Sequence, residues 1–419
     1  MTLRRFLIFA AVVLFIASGT YCLIKIAKGY RFSLSQRGFE ASGLLVATST
    51  PDGAAVYLNG KLQSATNTTL YLPPATYKIE IKKDGFRSWE KTIKIEKEYV
   101  AKTEAWLFPL VPNFQALTYT GAQRPLLSPD GSKVIYQVES KQMPEKNGLW
   151  ILDLTDMPFG ISREPKQIAK NTLLGRDFTT ATYLWSPDSR QVLISFTGGK
   201  TEENFLLDTG NLNLTNVLTD VSLQVSLLKK QWETEKQLKQ EQKMAKLPPV
   251  LVEILQKNVS EVLFAPDETK IAYLATGSAT IPDNLIPSIH SFSNQPQERT
   301  LKPNQTYVYD FKEDRNYVIL PDHSCALDYL RLSTPTPSPA TKLPSCLLAW
   351  VPNSRHLFLA EKDKVSLLEY EGTNLTTVYE GSYQFPFAFM FPAASRILLL
   401  TTLTNAAQAL TNLYAVSLR

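Results

Sequence analysis

The chain has 419 residues, which at roughly 150 residues per domain allows two or three domains with sizeable cores. Hydrophobic residues make up 44% of the chain and charged residues 20%, so burial can offset the entropy lost on folding, and a folded chain is expected. The formal net charge is +5, from 44 Lys and Arg against 39 Asp and Glu. The excess is scattered along the chain, which excludes the dense basic face of a nucleic-acid-binding protein.

The sequence lacks several common motifs of enzymes and of metal-binding and nucleotide-binding proteins. The chain contains three His and three Cys, and it has no zinc-protease, dinucleotide-binding, Walker A or nucleophile-elbow spacing. The sequence therefore predicts no catalytic, cofactor-binding or metal-ligating residue, no bound cofactor and no enzyme activity.

The amino-terminal segment is strongly apolar. Residues 6–24 carry no charge and follow Arg4 and Arg5. A run of about 20 apolar residues crosses the hydrocarbon core of a bilayer as a helix. The sequence therefore predicts a membrane anchor at residues 1–27, followed by a polar stalk at residues 28–42.

A cleaved secretory signal is the alternative for this segment. Residues 6–17 have the length of a signal-peptide core, and residues 17–19 are small enough for a cleavage site. The apolar character resumes at residues 21–24, beyond that site, which favours an uncleaved anchor. Both flanks of the segment are basic, so the positive-inside rule does not decide its orientation.

Residues 43–109 are predicted to form a small β-sandwich of six or seven strands. Turn sequences at residues 51–53 and 59–60 lie between strand-like runs and predict a hairpin. Residues 77–82 alternate apolar with charged side chains, which indicates a half-buried strand. Asp84 and Gly85 then predict a turn into the next strand.

This module resembles the PEGA domain family. The resemblance rests on residues 49–54, 56–61, 72–74, 77–79 and 83–86 and on Trp89. The chain departs from the family pattern at Ala75, where the family usually has Gly, and at residues 65–67, where it has Gly-Thr-Pro, so those turns are expected to be reshaped. The resemblance implies a binding or spacer module outside the cytoplasm. An unrelated small sandwich is the alternative.

One turn sequence recurs five times in the rest of the chain, each time with a bulky apolar residue two positions before a proline. The five prolines are Pro129, Pro187, Pro266, Pro352 and Pro392. Proline presets φ in a type I turn, and Asp, Asn or Ser beside it bonds to the local backbone. Each turn is therefore expected to lead into a buried strand, at residues 134–136, 192–194, 271–273, 357–359 and 397–399.

Further strands follow each of these hairpins. A third strand is predicted at residues 149–153, 205–208, 307–310, 366–369 and 413–416. A fourth is predicted at residues 166–168, 214–218, 317–320 and 376–379. The fifth unit lacks its fourth strand, whereas residues 115–119 form a lone strand of that kind before the first unit, so the start of the repeat is expected to close its end.

Four-stranded units closed in this way are typical of a β-propeller. The Ser-Pro-Asp-Gly turn with an apolar β-branched residue shortly after it resembles the TolB-like and WD-repeat propeller class. The predicted fold class is therefore mainly β, with a β-propeller at residues 113–419. Pro352 and Pro392 are 40 residues apart, near the length of a bare blade, and the other intervals are longer. Five blades are predicted, with six as the alternative.

A charged helical insertion is predicted at about residues 222–257. Its first part combines six Lys and three Glu with a thin apolar stripe of Leu228, Trp232 and Leu238. Residues 250–255 form a second short apolar segment that can pack back on the first. The insertion is interpreted as a hairpin on one face of the propeller, either a partner-binding arm or, as its mixed charges favour, a solvated helix that caps the disk.

Two other insertions, residues 276–304 and 332–344, are predicted to be loops. Cys325 and Cys346 flank the second loop. Outside the cytoplasm they can form a disulfide that closes a loop of about 20 residues and stabilises the fold by roughly 3 kcal/mol. Two buried free thiols are the alternative.

The remaining polar candidates do not form a predicted site. His323 lies near Cys325, yet the sequence places no orienting group or oxyanion donor beside them. His290 and His356 are expected to be exposed in a loop and a turn. Three carboxylates of the recurring turn are better explained by turn formation than by calcium binding or glycosidase chemistry, namely Asp130, Asp188 and Asp267.

The sequence therefore indicates a bacterial cell-envelope protein, anchored by a single helix, with most of its chain outside the membrane. Its propeller is expected to present a binding surface for a protein or a cell-wall glycan, because rigid loops on a scaffold and the missing catalytic set favour binding. The alternative is a carbohydrate-active lyase or hydrolase that works in the central funnel. Such an enzyme requires two or more ionisable side chains with shifted pKa values that converge there.

Overall fold

The computed structural model divides the chain into two compact units, largely residues 1–110 and largely residues 111–418. It describes residues 3–27, 30–33, 38–156, 164–171, 173, 178, 181–196, 202–214, 218–287, 295–320, 325–327, 344–403 and 410–419.

The chain begins with helix α1 (Leu3–Ala27), as the apolar sequence predicts. Within it, Leu7–Ile26 has a mean hydropathy of 2.4 and is not buried against the rest of the chain. Twenty helical residues span about 30 Å, the thickness of a bilayer core. Length and apolarity alone fit a membrane anchor and a signal peptide equally. A short antiparallel pair follows, formed by β1 (Arg31–Ser33) and β2 (Gly38–Glu40).

The rest of the first unit is a sandwich of seven strands, the larger of the two numbers expected. They are β3 (Gly43–Thr50), β4 (Ala55–Leu58), β5 (Lys61–Ala65), β6 (Thr68–Leu72), β7 (Ala75–Lys82), β8 (Trp89–Ile95) and β9 (Val100–Trp106). One sheet has the order β6-β3-β9, with β3 and β9 parallel, and the other has the order β5-β4-β7-β8. Leu45, Val56, Ile79 and Ile81 are fully buried in the core that both sheets share.

The turns of this sandwich agree with the sequence in part. Asn59 and Gly60 both have positive φ, 48° and 79°, and join β4 to β5 in the predicted hairpin. The turn at residues 51–53 does not form a hairpin, because β3 and β4 belong to different sheets. That part of the prediction is wrong, since a turn sequence indicates where a strand ends and not which strand it pairs with.

The second unit begins with β10 (Phe114–Ala116), and its described residues form five four-stranded antiparallel sheets. Sheet 1 consists of β11 (Gln123–Leu127), β12 (Lys133–Val138), β13 (Gly148–Asp153) and β14 (Lys166–Lys170), with a 3-10 helix at Pro144–Lys146. Sheet 2 consists of β15 (Ala181–Trp185), β16 (Gln191–Phe196), β17 (Glu203–Asp208) and β18 (Thr219–Asp220). Two helices follow it, α2 (Val225–Met244) and α3 (Pro249–Asn258).

Sheet 3 consists of β19 (Val259–Phe264), β20 (Lys270–Ala275), β23 (Thr306–Asp310) and β24 (Arg315–Leu320), with a separate pair, β21 (Ala279–Thr280) and β22 (Thr300–Leu301), between its second and third strands. Sheet 4 consists of β25 (Cys346–Trp350), β26 (His356–Glu361), β27 (Lys364–Glu369) and β28 (Thr376–Glu380). Sheet 5 contains β29 (Ala388–Met390), β30 (Arg396–Thr401) and β31 (Asn412–Ser417), and β10 completes it.

Most strands of the repeat lie where the sequence predicts them. In sheet 5, Gln115 of β10 lies opposite Ala415 of β31, so the predicted pairing between the start and the end of the repeat is confirmed. The fourth strand of sheet 2 begins at Thr219, later than the predicted residues 214–218, of which 215–217 lie outside the described residues.

The predicted loops compare less well with the structure. The insertion at residues 276–304 is not wholly a loop, because β21 and β22 pair there and Leu301 is fully buried. Residues 288–294 of that insertion lie outside the described residues, as do residues 332–343 of the other one.

The apolar cores of the second unit lie between neighbouring sheets. One core joins sheets 1 and 2, another joins sheets 3 and 4, and a third joins sheets 5 and 1. Sheets 4 and 5 meet where the rings of Tyr379 and Phe114 lie 5.8 Å apart. Sheets 2 and 3 contribute to separate cores, each completed by the helical insertion.

Candidate functional site

The five recurring turns share one geometry. In each turn the fourth residue donates its N–H to the carbonyl of the first residue and has a φ between 53° and 70°. Turn carboxylates accept backbone N–H groups two residues further on, as Asp188 does from Arg190 at 3.1 Å. A hydrogen bond from the hydroxyl of Ser186 lowers the pKa of Asp188. Asp130 and Asp267 accept in the same way, so the turn engages all three carboxylates. Among the described residues no group of three or more His, Cys, Asp or Glu is placed to hold a metal ion.

Three polar contacts connect sheets 1 and 2 beside their apolar core. The indole N–H of Trp185 donates to the carbonyl of Leu126 at 3.2 Å, the N–H of Asp130 donates to Oγ of Ser189 at 3.2 Å, and Nζ of Lys133 donates to Oγ1 of Thr209 at 3.2 Å.

Sheets 3 and 4 repeat this arrangement at the equivalent positions. The indole N–H of Trp350 donates to the carbonyl of Leu263 at 2.9 Å, the N–H of Asp267 donates to Oγ of Ser354 at 3.0 Å, and Nζ of Lys270 lies 4.6 Å from the ring centroid of Tyr370. We call the boundaries between sheets 1 and 2 and between sheets 3 and 4 the fastened seams.

The seam between sheets 2 and 3 differs at all three positions. Phe264 stands where Trp185 and Trp350 stand in the fastened seams, so the indole donor is lost. Glu268 stands in place of the serine, and Gln191 in place of the lysine. We call this boundary the bridged seam, because α2 connects its two sides.

Helix α2 is attached to sheet 2 near its beginning and to sheet 3 at its end. Trp232 is 9% exposed and packs with Leu193 of sheet 2. At the other end, Lys243 and Lys246 lie 3.4 and 2.6 Å from the carboxylate oxygens of Glu268, the residue that replaces the turn serine. Helix α3 buries Leu251 and Leu255 against the same side of sheet 3. The insertion therefore contributes to one apolar core with sheet 2 and to another with sheet 3.

Between these attachments α2 packs against little of its own chain. Residues 233–242 are all exposed. Lys229, Lys236 and Lys243 are seven residues apart and share the side of the helix that carries Trp232, and Lys239 lies beside them. Nζ of Lys243 lies 5.8 Å from the ring centroid of Phe264, so this side faces sheet 3.

We call this side the lysine face of α2. Lys236 and Lys239 of this face are exposed, and Nζ of Lys239 lies 2.7 Å from Oε1 of Glu235 on the same helix.

Cys325 and Cys346 are joined by a disulfide in the structure, with their Cα atoms 4.9 Å apart. The side chains are 1% and 5% exposed and belong to the core between sheets 3 and 4. Cys346 begins β25, and Ala326 forms a parallel bridge with Leu347 beside it. The disulfide therefore attaches the connection that precedes sheet 4 to the first strand of that sheet.

Buried ionisable groups also lie at the seam between sheets 3 and 4. Nζ of Lys270 is 3.7 Å from Oδ2 of Asp310, and both side chains are buried. The hydroxyl of Tyr317 donates to Oε2 of Glu313 at 3.1 Å. Burial raises the pKa of Tyr317 and of Tyr370, and nearby carboxylates raise both further. These phenols stay protonated at neutral pH. Both polar contacts lie within sheet 3, and the ring of Tyr370, next to sheet 4, lies 4.6 Å from Nζ of Lys270 and 5.9 Å from the ring of Tyr317.

The histidines do not gather at a site in the described part of the chain. His356 is 5% exposed, and its Nδ1 lies 3.0 Å from Nδ2 of Asn353, so the expectation that it is exposed is wrong. It begins β26, where the preceding turn folds over it. His290 and His323 lie outside the described residues.

Comparison with known proteins identifies the first module. Residues 42–107 match the PEGA domain family, so the resemblance expected from the sequence is confirmed for this part of the chain. No curated protein sequence matches the chain.

The structural neighbours of the chain are TolB and other β-propellers. The putative TolB of Agrobacterium tumefaciens is 13% identical, with 72% of this chain and 74% of that chain covered and a TM-score of 0.21. TolB of Acinetobacter baumannii is 9% identical, with 81% and 59% covered and a TM-score of 0.21. The propeller domain of the trilobed protease of Pyrococcus furiosus is 12% identical, with 90% and 83% covered and a TM-score of 0.17. TM-scores of this size do not by themselves establish a shared fold.

Proposed function

We propose that this chain is a membrane-anchored extracytoplasmic binding protein of the bacterial cell envelope. In this proposal residues 1–27 are the anchor, 28–42 the stalk, 43–109 the PEGA spacer and 113–419 a five-bladed β-propeller. The propeller presents a surface for a protein or a cell-envelope glycan, and nucleic acid is not a partner.

Two features support a location outside the cytoplasm. Leu7–Ile26 is long and apolar enough to span a bilayer, and a PEGA domain follows it. The paired Cys325 and Cys346 agree with an oxidising compartment, because disulfides persist there and are rare in the cytosol.

The five sheets of the second unit support the propeller. Each has four antiparallel strands, and each meets its sequence neighbour either directly or through the helical insertion. Sheet 5 combines β10 with the last three strands, which is how a propeller joins its ends without leaving a long open edge.

The observation that carries the binding function is the exposed middle of α2. The helix is attached near one end through Trp232 and at the other through Glu268, and residues 233–242 between these attachments are exposed, which leaves that part of its surface accessible to a partner. The buried side chains of Lys270 and Asp310 lie 3.7 Å apart on neighbouring strands of sheet 3, which favours a structural role for them over catalysis in the central funnel.

Protease treatment of intact cells that carry the full chain tests the location. Fragments of the second unit are expected to be released while the inner membrane is whole, with Cys325 and Cys346 linked until reductant is added. Mass spectrometry of the fragments and of the mature amino terminus reads both results, and it distinguishes an anchor from a cleaved signal. Protection of the second unit until the inner membrane is opened would overturn the proposal.

A further inference from the structure

The connection between α1 and the sandwich spans much less distance than its length in residues allows. Arg31 of β1 lies opposite Glu40 of β2, so the hairpin leaves and returns to nearly the same point. The N–H of Tyr30 donates to the carbonyl of Lys25 at 2.9 Å, which places the start of the hairpin at the last turn of α1. Four Cα steps and one crossing of about 5 Å separate Tyr30 from Gly43, so this distance is at most about 20 Å, whereas an extended stalk of about 15 residues would span about 50 Å.

One end of the sandwich receives this connection. Strands β3 and β9 are parallel, so both begin at that end. The turn before β9 lies against the entering chain, because the N–H of Glu98 donates to the carbonyl of Ser42 at 3.1 Å. The N–H of Leu44 likewise donates to the carbonyl of Tyr99 at 3.0 Å. We call this end of the sandwich, with residues 42–44, 71–75 and 96–100, the stalk end.

Exposed apolar and aromatic side chains gather at the stalk end. Tyr71 and Val100 are the partners of Leu44 on its two sides, so the three residues form one row on the outer face of the sheet. Tyr71 is 44% exposed, Val100 is 51% exposed, and Tyr99 beside it is 47% exposed. The stalk end therefore presents two tyrosine rings and an aliphatic side chain to its surroundings.

The same face of the sheet becomes polar away from the stalk end. Lys102 and Glu104 follow Val100 at alternate positions of β9 and form an ion pair at the surface. Thr48 lies beside Glu104 on β3. The change takes place within about 13 Å, the length of four residues of a strand.

We infer that the stalk end of the sandwich docks on the surface of the lipid bilayer that holds α1, a proposal that rests on the proposed membrane anchor. Tyr71, Tyr99 and Val100 lie at the level of the headgroups in this arrangement. Tyrosine rings favour this level, because their apolar bodies contact lipid while their hydroxyl groups remain hydrated. The connection of about 20 Å keeps the stalk end within reach of a headgroup layer that is about 5–7 Å thick.

Charges at the stalk end are balanced within the chain. Nζ of Lys94 lies 2.7 Å from Oε1 of Glu96, and Lys97 is followed directly by Glu98. Docking is therefore carried by the apolar and aromatic side chains and does not require anionic lipid. We expect it in bilayers of phosphatidylcholine, which carry no net charge.

A nitroxide label at the stalk end tests the contact with lipid. Val100→Cys and Glu104→Cys are each made in the full chain with Cys22→Ser, so that the label attaches only to the introduced cysteine. Cys325 and Cys346 are joined in a disulfide and do not react. The chain is inserted into phosphatidylcholine nanodiscs with one chain per disc, and electron paramagnetic resonance measures collisions of the label with a water-soluble nickel complex. The label at Val100→Cys is expected to collide about threefold less often than the label at Glu104→Cys, because the headgroup layer excludes the complex.

Two further variants identify the side chains responsible. Tyr71→Ser combined with Tyr99→Ser removes two exposed rings that lie outside the apolar core, and should raise the collisions at Val100→Cys to those at Glu104→Cys. Leu62→Ser is the matched control, because Leu62 is 62% exposed but belongs to β5 in the other sheet. It should leave the collisions unchanged. Circular dichroism checks that the variants remain folded.

Three results would overturn the inference. They are equal collisions at the two labelled positions, protection that persists in the double tyrosine variant, and protection that occurs only in discs with two chains, which would assign the face to a second copy of the chain.

The experiments also separate this inference from the proposed function. A mature chain that begins after residue 19 would remove the anchor and the docking together, whereas an anchored chain with equal collisions would remove the docking alone. If the protease experiment placed the second unit in the cytoplasm while the label was protected, the proposed location would fail and the docking would stand.

Discussion

The fastened seam between sheets 1 and 2 and the bridged seam between sheets 2 and 3 are built on the same turn sequence. At the fastened seam Trp185, Ser189 and Lys133 reach across to the neighbouring sheet. At the bridged seam Phe264 and Glu268 occupy two of the equivalent positions, and α2 contacts both sides. The same turn sequence therefore forms the same hairpin at both seams, whereas the residues beside the turn determine whether the two neighbouring sheets contact each other directly.

The largest loss of stability is expected from a substitution at the fastened seam between sheets 1 and 2. Trp185→Ala removes a side chain that is 3% exposed together with its hydrogen bond to Leu126, and should lower the free energy of unfolding by about 3–5 kcal/mol. Phe264→Ala at the bridged seam should cost less, because that ring is only partly buried. Urea denaturation of both variants measures the difference, and equal losses would remove the distinction between the seams.

The disulfide is expected to stabilise the fastened seam between sheets 3 and 4. Replacing both Cys325 and Cys346 by Ala opens a loop of about 20 residues and should lower the free energy of unfolding by about 3 kcal/mol. The wild-type protein with reductant should match the double variant without it. A double variant as stable as the oxidised protein would contradict the stabilising role.

A third prediction concerns the attachment of α2 to sheet 2 at the bridged seam. Trp232→Ala removes the main contact of α2 with sheet 2 and should cost about 2 kcal/mol, with hydrogen exchange increased throughout Val225–Met244. Leu238→Ala is the control, because Leu238 is 52% exposed. Unchanged exchange in Trp232→Ala would mean that the helix is held elsewhere.

Alkaline pH should act on the fastened seam through Tyr183. Burial raises the pKa of Tyr183 to about 12, above the ordinary value of about 10. Below pH 10 the phenol is protonated in both the folded and the unfolded protein, so its contribution to the free energy of unfolding is fully present. Between pH 10 and 12 the phenol ionises in the unfolded protein first, and the free energy of unfolding falls by up to about 1.4 kcal/mol per pH unit. Denaturation from pH 9 to 11 should show a steeper loss for wild type than for Tyr183→Phe. Parallel curves would contradict the burial argument.

The smallest expected loss of stability comes from removing one hydrogen bond, and its salt dependence distinguishes it from the loss of an ion pair. Ser189→Ala removes the acceptor for the N–H of Asp130 and should cost about 1 kcal/mol at any salt concentration. Glu268→Ala removes the partner of Lys243 and Lys246, and salt should screen its effect on the stability of α2. Melting curves at low and high salt distinguish the two, and a salt-sensitive Ser189→Ala would contradict the assignment.

The local parts of the fold could be predicted from the sequence. The prolines and the positive-φ residues that follow them specify all five turns, and the alternation of residues 77–82 specifies β7. These patterns depend on neighbouring residues alone, which is why they can be interpreted without a structure.

Features that depend on distant residues could not be predicted in this way. The separation of β3 and β4 into different sheets and the burial of His356 depend on packing between elements. The bridged seam did have a signal, since residues 264–268 depart from the pattern of residues 185–189 and 350–354 at the first and last positions. The role of Glu268 depends on its ion pair with Lys246, a contact that the local turn sequence does not specify.

The pairing of β10 with β31 also sets an order of events in folding. Oγ1 of Thr118 donates to Oδ1 of Asn412, a residue 294 positions later, so sheet 5 cannot be completed until almost the whole unit has been synthesised. Contacts between such distant positions slow folding because the intervening chain must be ordered first. Sheets 1 to 4 consist of local hairpins and can form as the chain emerges, which leaves β10 with its edge uncovered during that interval.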